Sequence, residues 1–207
     1  MTSAAADRRR ASRDAKRAKI LAEAWELGKR DGLAAISLRD LGGRVGLRQP
    51  SLYVYFESKL DLYDAMFADG YRQLLELVGR RRRAQEPQAA LTAYVRDIVR
   101  FCSENVERHQ LLFQRTIPGF EPSPDSYRLA VEFYDLARAH LAAAGVTRRN
   151  DLDLFTAMVA GLTHQQVAND PGGRRWVRLA GPTVAMFLAD VQRRRQVSTA
   201  TARRVTT

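Results

Sequence analysis

The stretch SLRDLGGRVGLRQPSLYVYF, residues 37–56, decides how this chain is read. Ser37-Leu38-Arg39-Asp40 is a capping box: the serine hydroxyl can accept an orphan backbone N–H, and Asp40 can reach back. A short helix follows with Leu38, Leu41 and Val45 inward, and it stops at Gly46, a turn position that a side chain would strain. A second short helix runs from about Gln49 to Tyr55, with Pro50 tolerated in its first turn. Gly42 stands where the two helices cross, so their axes can approach. Leu41, Val45, Leu47 and Leu52 can then form a small shared core. The spacing predicts a helix-turn-helix whose second helix is held at a steep angle, ready to enter a major groove.

That second helix presents Gln49, Ser51, Tyr53 and Tyr55 outward. Gln can pair with an adenine edge, and Ser can donate to a base edge or a phosphate. Tyr can bond phosphate through its hydroxyl or pack its ring on sugar and thymine methyl. Arg48 in the turn can reach guanine or phosphate. Ser58-Lys59-Leu60-Asp61 is a second capping box that opens a long helix. Lys59 and that helix end are expected to clamp one phosphate, and the capped end at Ser37 to do likewise. An ordinary corner between two helices has the same spacing. The outward Tyr, Ser and Gln and the basic bias described below favour the DNA reading.

Working outward, residues 1–15 carry Arg, Ala, Ser and Asp without apolar periodicity and read as a flexible basic arm. From Lys16, Ile20, Leu21, Ala24, Trp25, Leu27 and Gly28 share one helical face, up to the stop at Asp31-Gly32. Beyond Phe56, apolar residues recur at helical spacing in six further stretches, one of them a short run around Leu111–Phe113. These are punctuated by the Arg80–Arg83 run and Pro87, by Pro118-Gly119, Ser123-Pro124 and Gly145, and by Asn169-Asp170-Pro171-Gly172-Gly173. Pro182 should kink or split the last helix. Arg80–Arg83 reads as a solvated helix end, where the helix dipole favours cations. No strand-like alternation occurs, so the expected fold is all-α with about nine helices. The expected organisation is an arm over 1–15, a helix-turn-helix domain over 16–62, a larger helical domain over 63–195 and a flexible tail over 196–207.

The formal net charge is +11, which favours polyanions as partners. Residues 1–60 hold 13 Lys and Arg against 7 Asp and Glu, whereas residues 61–207 hold 21 against 16. The excess therefore belongs mainly to the N-terminal part. The single cysteine, Cys102, lies in an apolar run and reads as a packed small hydrophobe. No apolar run reaches membrane-spanning length, and arginines interrupt any N-terminal signal core, so a cytoplasmic protein is expected. His109, His140 and His164 are far apart without acidic or Cys partners at metal spacing, so no metal site is read. No Gly-rich phosphate loop, nucleophile-base pair or paired carboxylate has credible spacing, so neither a cofactor nor enzymatic activity is expected. The alternatives to a DNA regulator are a basic helical interaction module, or an enzyme without a recognisable catalytic motif.

The segment Lys19–Phe67 resembles the DNA-binding domain of the TetR family of repressors. The match lies in Ser37-Leu38-Arg39-Asp40-Leu41, Val45-Gly46-Leu47, Ser51-Leu52-Tyr53-Val54-Tyr55-Phe56 and Ser58-Lys59. The family usually has Ala at the place of Gly42 and often His at that of Tyr55. The resemblance covers about a quarter of the chain. It implies a homodimer formed by the last two helices, each protomer reading one half-site of a roughly palindromic operator. It also implies a pocket for a small-molecule effector in the larger domain, whose occupation releases the repressor. On this reading the pocket candidates are Phe101, Phe113, Tyr134, His164 and Trp176, though aromatics are often simply core. The dimer candidates are Phe155, Val159, Leu162, Val184, Phe187 and Leu188.

Overall fold

A computed structural model of the chain describes residues 3–79 and 86–205. Arg80–Arg83 lie outside the described residues. Nine α-helices occur among those described, with no strand: α1 Ser3–Asp31, α2 Leu38–Val45, α3 Gln49–Tyr53, α4 Lys59–Gly79, α5 Pro87–Glu104, α6 Val106–Phe113, α7 Pro124–Ala143, α8 Arg149–Asn169 and α9 Ala180–Val205. The all-α expectation holds. Short 3₁₀ turns lie at Leu33–Ala35 and Val177–Leu179. The second of these ends where α9 begins, with Pro182 in the first turn of α9, so the proline splits the last helical segment.

Two stretches read as flexible are helical in the structure. The first helix begins at Ser3 rather than Lys16, and the last continues to Val205 through the predicted tail. Ala and Arg are strong helix formers, so the N-terminal stretch extends the helix without a packed face. Residues 6–19 are exposed throughout, which is why no apolar periodicity announced them.

The chain divides into two compact units. The first combines residues up to Gln73 with Asn105–Ala130. Its core holds Ile20, Ala24, Trp25, Leu27, Leu41, Leu52, Phe56, Tyr63 and Met66, all buried. Trp25 donates its indole N–H to Asp69 at 2.7 Å, and the Arg108 guanidinium lies 4.4 Å over its ring. Ser123 caps α7 by accepting from Ser126 N at 3.2 Å. The same segment is tied to α4 through Asp64, whose carboxylate accepts from Ser123 N, Ser123 Oγ and Ser126 Oγ at 2.7, 2.9 and 2.8 Å.

The second unit comprises Leu74–Glu104 and Val131–Thr207. Here α5 packs on α8 and α9 around Leu91, Val95, Val99, Phe155, Leu162, Val184, Phe187 and Val191. Cys102 is buried, and its thiol pKa is pushed up to about 12 by that burial, so it behaves as a packed apolar group. The N-cap of α8 is Arg148, with no side-chain cap bond, and Asp151 lies in the first turn. Its buried carboxylate pairs with Arg194 at 2.7 Å.

Gln166 is completely buried and acts as a connector. Its Oε1 accepts from the backbone N–H groups of Trp176 at 2.9 Å and Val177 at 3.2 Å, and its Nε2 donates to Asp170. Removing the amide would leave buried donors unpaired, at about 1–3 kcal/mol for each group left unsatisfied. Gln166→Ala is therefore expected to lower unfolding stability by roughly 2 kcal/mol or more. Gln166→Leu, which restores volume but not the bonds, should recover little of it in denaturant titration.

Candidate nucleic-acid interface

The local geometry of residues 37–61 follows from caps and one glycine turn. Ser37 is extended, and its Oγ accepts from Asp40 N at 3.4 Å to start α2. At the other end Gly46 is left-handed, with φ 71° and ψ 28°. Leu47 N donates to Gly42 O at 2.8 Å and Gly46 N to Gly43 O at 3.4 Å, the paired bonds of a Schellman termination. Arg48 then starts α3, its carbonyl accepting from Ser51 N and Leu52 N. The five-residue α3 could not persist alone, because nucleating one turn costs about 4 kcal/mol. Burying Leu52 and Phe56 completely, at roughly 2 to 3 kcal/mol each, offsets that cost.

The start of α4 is fixed twice over. Ser58 Oγ accepts from Asp61 N, and Asp61 accepts from Glu57 N, both at 3.0 Å. Lys59 Nζ donates to Ala34 O at 2.7 Å and sits 5.7 Å over the Tyr63 ring. Tyr63 donates its hydroxyl to Leu33 O at 2.5 Å, and burial pushes its pKa up to about 12. Sequence reading missed this tie between α4 and the Leu33–Ala35 turn, because its partners are backbone carbonyls 25 and 30 residues away.

The predicted DNA-facing residues fall into three groups. Arg48, Ser51 and Tyr53 are exposed on and beside α3. Tyr55 is half-buried and lines a groove with Val54 and the arginines of α1. Ser37 and Lys59 are half-buried and already engaged, the hydroxyl as a cap and one ammonium donor on Ala34 O. An ammonium has two further donors, so the lysine can still meet a phosphate. The side chain of Gln49 lies outside the described residues.

The other predicted sites are not gathered together. Among the pocket candidates, Phe101 is buried in the second unit, where Trp176 is half-buried against the core, while Tyr134 and His164 are exposed. Phe113, in the first unit, lines a cleft of about 200 Å³ with Phe67, Tyr71, Leu112, Ile117 and Phe120. Among the dimer candidates, Phe155, Leu162, Val184, Phe187 and Leu188 are buried in the chain's own core, with Val159 packed against it. Periodicity marks the most apolar face of a helix, and on α8 and α9 that face serves the protomer itself. Their open sides carry Leu154, Ala157 and Gly161 on α8 and Ala185, Met186 and Ala189 on α9. Among the described residues, no helix is long and apolar enough to cross a membrane.

Residues 20–66 match the family model described as bacterial regulatory proteins, tetR family. The HTH-type transcriptional regulator Rv1816 of Mycobacterium tuberculosis is 28% identical over 152 residues. That match covers 68% of this chain, and the chain spans 64% of the length of this relative. Among solved structures, a tetR-family transcriptional regulator from Streptomyces coelicolor superposes with a TM-score of 0.69 at 20% identity, covering 93% of this chain and 89% of that one. The TetR family transcriptional regulator PfmR from Thermus thermophilus does so with 0.62 at 24%, covering 82% and 97%. These two likenesses show the fold.

A Cβ at Gly46 would meet nothing within 4 Å, so substitution there tests backbone strain alone. Gly46→Ala should destabilise the protein by about 1–2 kcal/mol. Gly46→Asn, which tolerates the left-handed region, should recover part of the loss in equilibrium unfolding.

Proposed function

We propose that this chain, whose residues 20–66 match the tetR family of bacterial regulatory proteins, is a member of that family and a sequence-specific DNA-binding transcriptional regulator. It works as a homodimer and represses until a small molecule releases it from a roughly palindromic operator. Residues 16–62 read DNA, and residues 63–195 hold the effector and dimer contacts. The observation that carries the reading is α3 itself. A short helix stands on the buried Leu41, Leu52 and Phe56 with Ser51 and Tyr53 exposed, a shape that fits the roughly 12 Å major groove. Arg48, Gln49 and Tyr55 complete the reader, while Lys59 and Ser37 meet backbone phosphate.

On this reading effector control runs through α4. That helix carries Lys59 and Tyr63 under the reading head, and Phe67 and Tyr71 in the wall of the aromatic cleft. The segment 114–122 forms much of the other wall, and Ser123 is bound to Asp64 on the same helix. An apolar, partly aromatic molecule that wedges this cleft open would displace α4 and with it the seat of α2 and α3. Such a ligand shifts affinity only insofar as it binds the two arrangements differently. The open sides of α8 and α9, with Met186 63% exposed, are the surface offered to a second protomer.

Selection from a random duplex pool should return a two-fold symmetric sequence. Tyr53→Ala should weaken binding to it by about tenfold or more while affecting random DNA little. An asymmetric consensus, or none, would rule this reading out. For assembly, Met186→Glu should yield a folded monomer in sedimentation, whereas Phe187→Glu, a charge placed in the core, should unfold the chain instead.

A further inference from the structure

The face of α1 that enters the core changes chemistry partway along the helix. Ile20, Ala24 and Leu27 are buried on it, and one to three turns upstream the same face carries Arg17, Lys16, Arg13 and Arg9. Two of these cations fasten the extension to the reading head. Arg13 donates to Val54 O at 3.3 Å, just past the end of α3, and the Arg17 guanidinium lies 4.9 Å over the Phe56 ring. The others are left over. Arg8, Arg9 and Lys16 are exposed, have no ion pair among the described residues, and line one groove with Arg13, Val54 and Tyr55. Between Ser3 and Ile20 there are seven Arg or Lys against two Asp.

We infer that the N-terminal turns of α1 form a second DNA contact, a rigid cationic rail that grips the phosphodiester backbone flanking the bases read by α3. The proposal rests on the DNA-binding reading above and adds an interface to it. Helical structure decides the mode of contact. A helix about 10–12 Å across does not enter a minor groove about 6 Å wide, so these residues lie along the backbone rather than inside the groove. Composition decides against a membrane. Alanine is the only apolar residue between Ser3 and Lys19, so this helix has no apolar face to bury in lipid. Continuity with the end of α3 makes the rail part of the same footprint.

The test compares the full-length protein with the triple variant Arg8→Gln, Arg9→Gln, Lys16→Gln, which keeps strong helix formers at exposed positions. Each is titrated on the selected operator in two duplexes, one trimmed to the symmetric sequence and one with about one helical turn, 10 base pairs, added on each side. On the flanked duplex the variant should bind on the order of tenfold to a hundredfold more weakly near physiological salt. Its slope of log affinity against log salt should be shallower by about 2 to 3 for each reading head. Its hydroxyl-radical footprint should lose the outer backbone positions. On the trimmed duplex the two proteins should differ much less. If the variant matches the parent in slope and footprint on the flanked duplex while Tyr53→Ala still loses the operator, the rail is overturned and the regulator reading stands. The rail is equally overturned if the variant loses only its binding to phosphatidylserine vesicles. If the parent binds no duplex, both readings fall together.

Discussion

Burial of Leu41, Leu52 and Phe56 against the first helix is the constraint on which the reading surface depends. Helices of eight and five residues have too few internal bonds to persist in water. They are ordered because each contributes a side chain to a core already built by Ile20, Trp25 and Leu27 of α1. The glycine turn at 46 sets the angle between them, and the Schellman bonds leave few backbone groups unpaired there. Exposed Ser51 and Tyr53 are held in place by side chains that never meet solvent. The exposed chemistry can therefore vary while the platform beneath it stays the same.

The same platform is anchored from α4 by polar bonds of long reach. Tyr63 and Lys59 grip the carbonyls of Leu33 and Ala34, which closes the Leu33–Ala35 turn onto α4. Asp64, one turn further along, accepts three hydrogen bonds from Ser123 and Ser126. A carboxylate so completely satisfied holds its partners in one arrangement. One helix thus touches the reading head at its start, the 117–123 segment a turn later, and the aromatic cleft a turn beyond that. In the second unit, Gln166 fastens the end of α8 to the turn that follows it, and the Asp151–Arg194 pair joins α8 to α9 across 43 residues. Replacing Arg194 would strand the buried carboxylate of Asp151, which costs more than the bond itself contributes.

The basic excess is a matter of placement rather than amount. Arg13 and Arg17 spend their charge on a carbonyl and an aromatic ring, which fixes the direction of the N-terminal turns. Arg194 and Arg108 spend theirs inside the two units, on Asp151 and on Glu107 and Trp25. Among the described residues, Arg8, Arg9 and Lys16 have no ion pair and line one groove with Arg13 beside the C-terminal end of α3.

The amino-acid sequence by itself determined the all-α class, the bounds of α2, the glycine stop at 46, the cap at Ser58 and the exposed Ser51 and Tyr53. All of these arise from contacts within about four residues, where caps, turn glycines and the 3.6-residue period act directly. The sequence also located the apolar faces of α8 and α9, but tertiary structure decided what those faces meet. Phe155, Val184 and Phe187 fill the chain's own core, and the weaker face with Met186 stays open, because apolar periodicity is the same for a core and for a partner. The helicity of the N-terminal stretch escaped notice for the opposite reason: residues 6–15 are exposed on every side, and a helix with no buried side has no stripe to read. Only the fold brought Val54 to Arg13, Ala34 to Lys59 and Ser123 to Asp64, since hydrogen bonds across 25 to 59 residues leave no spacing in the sequence from which to foresee them.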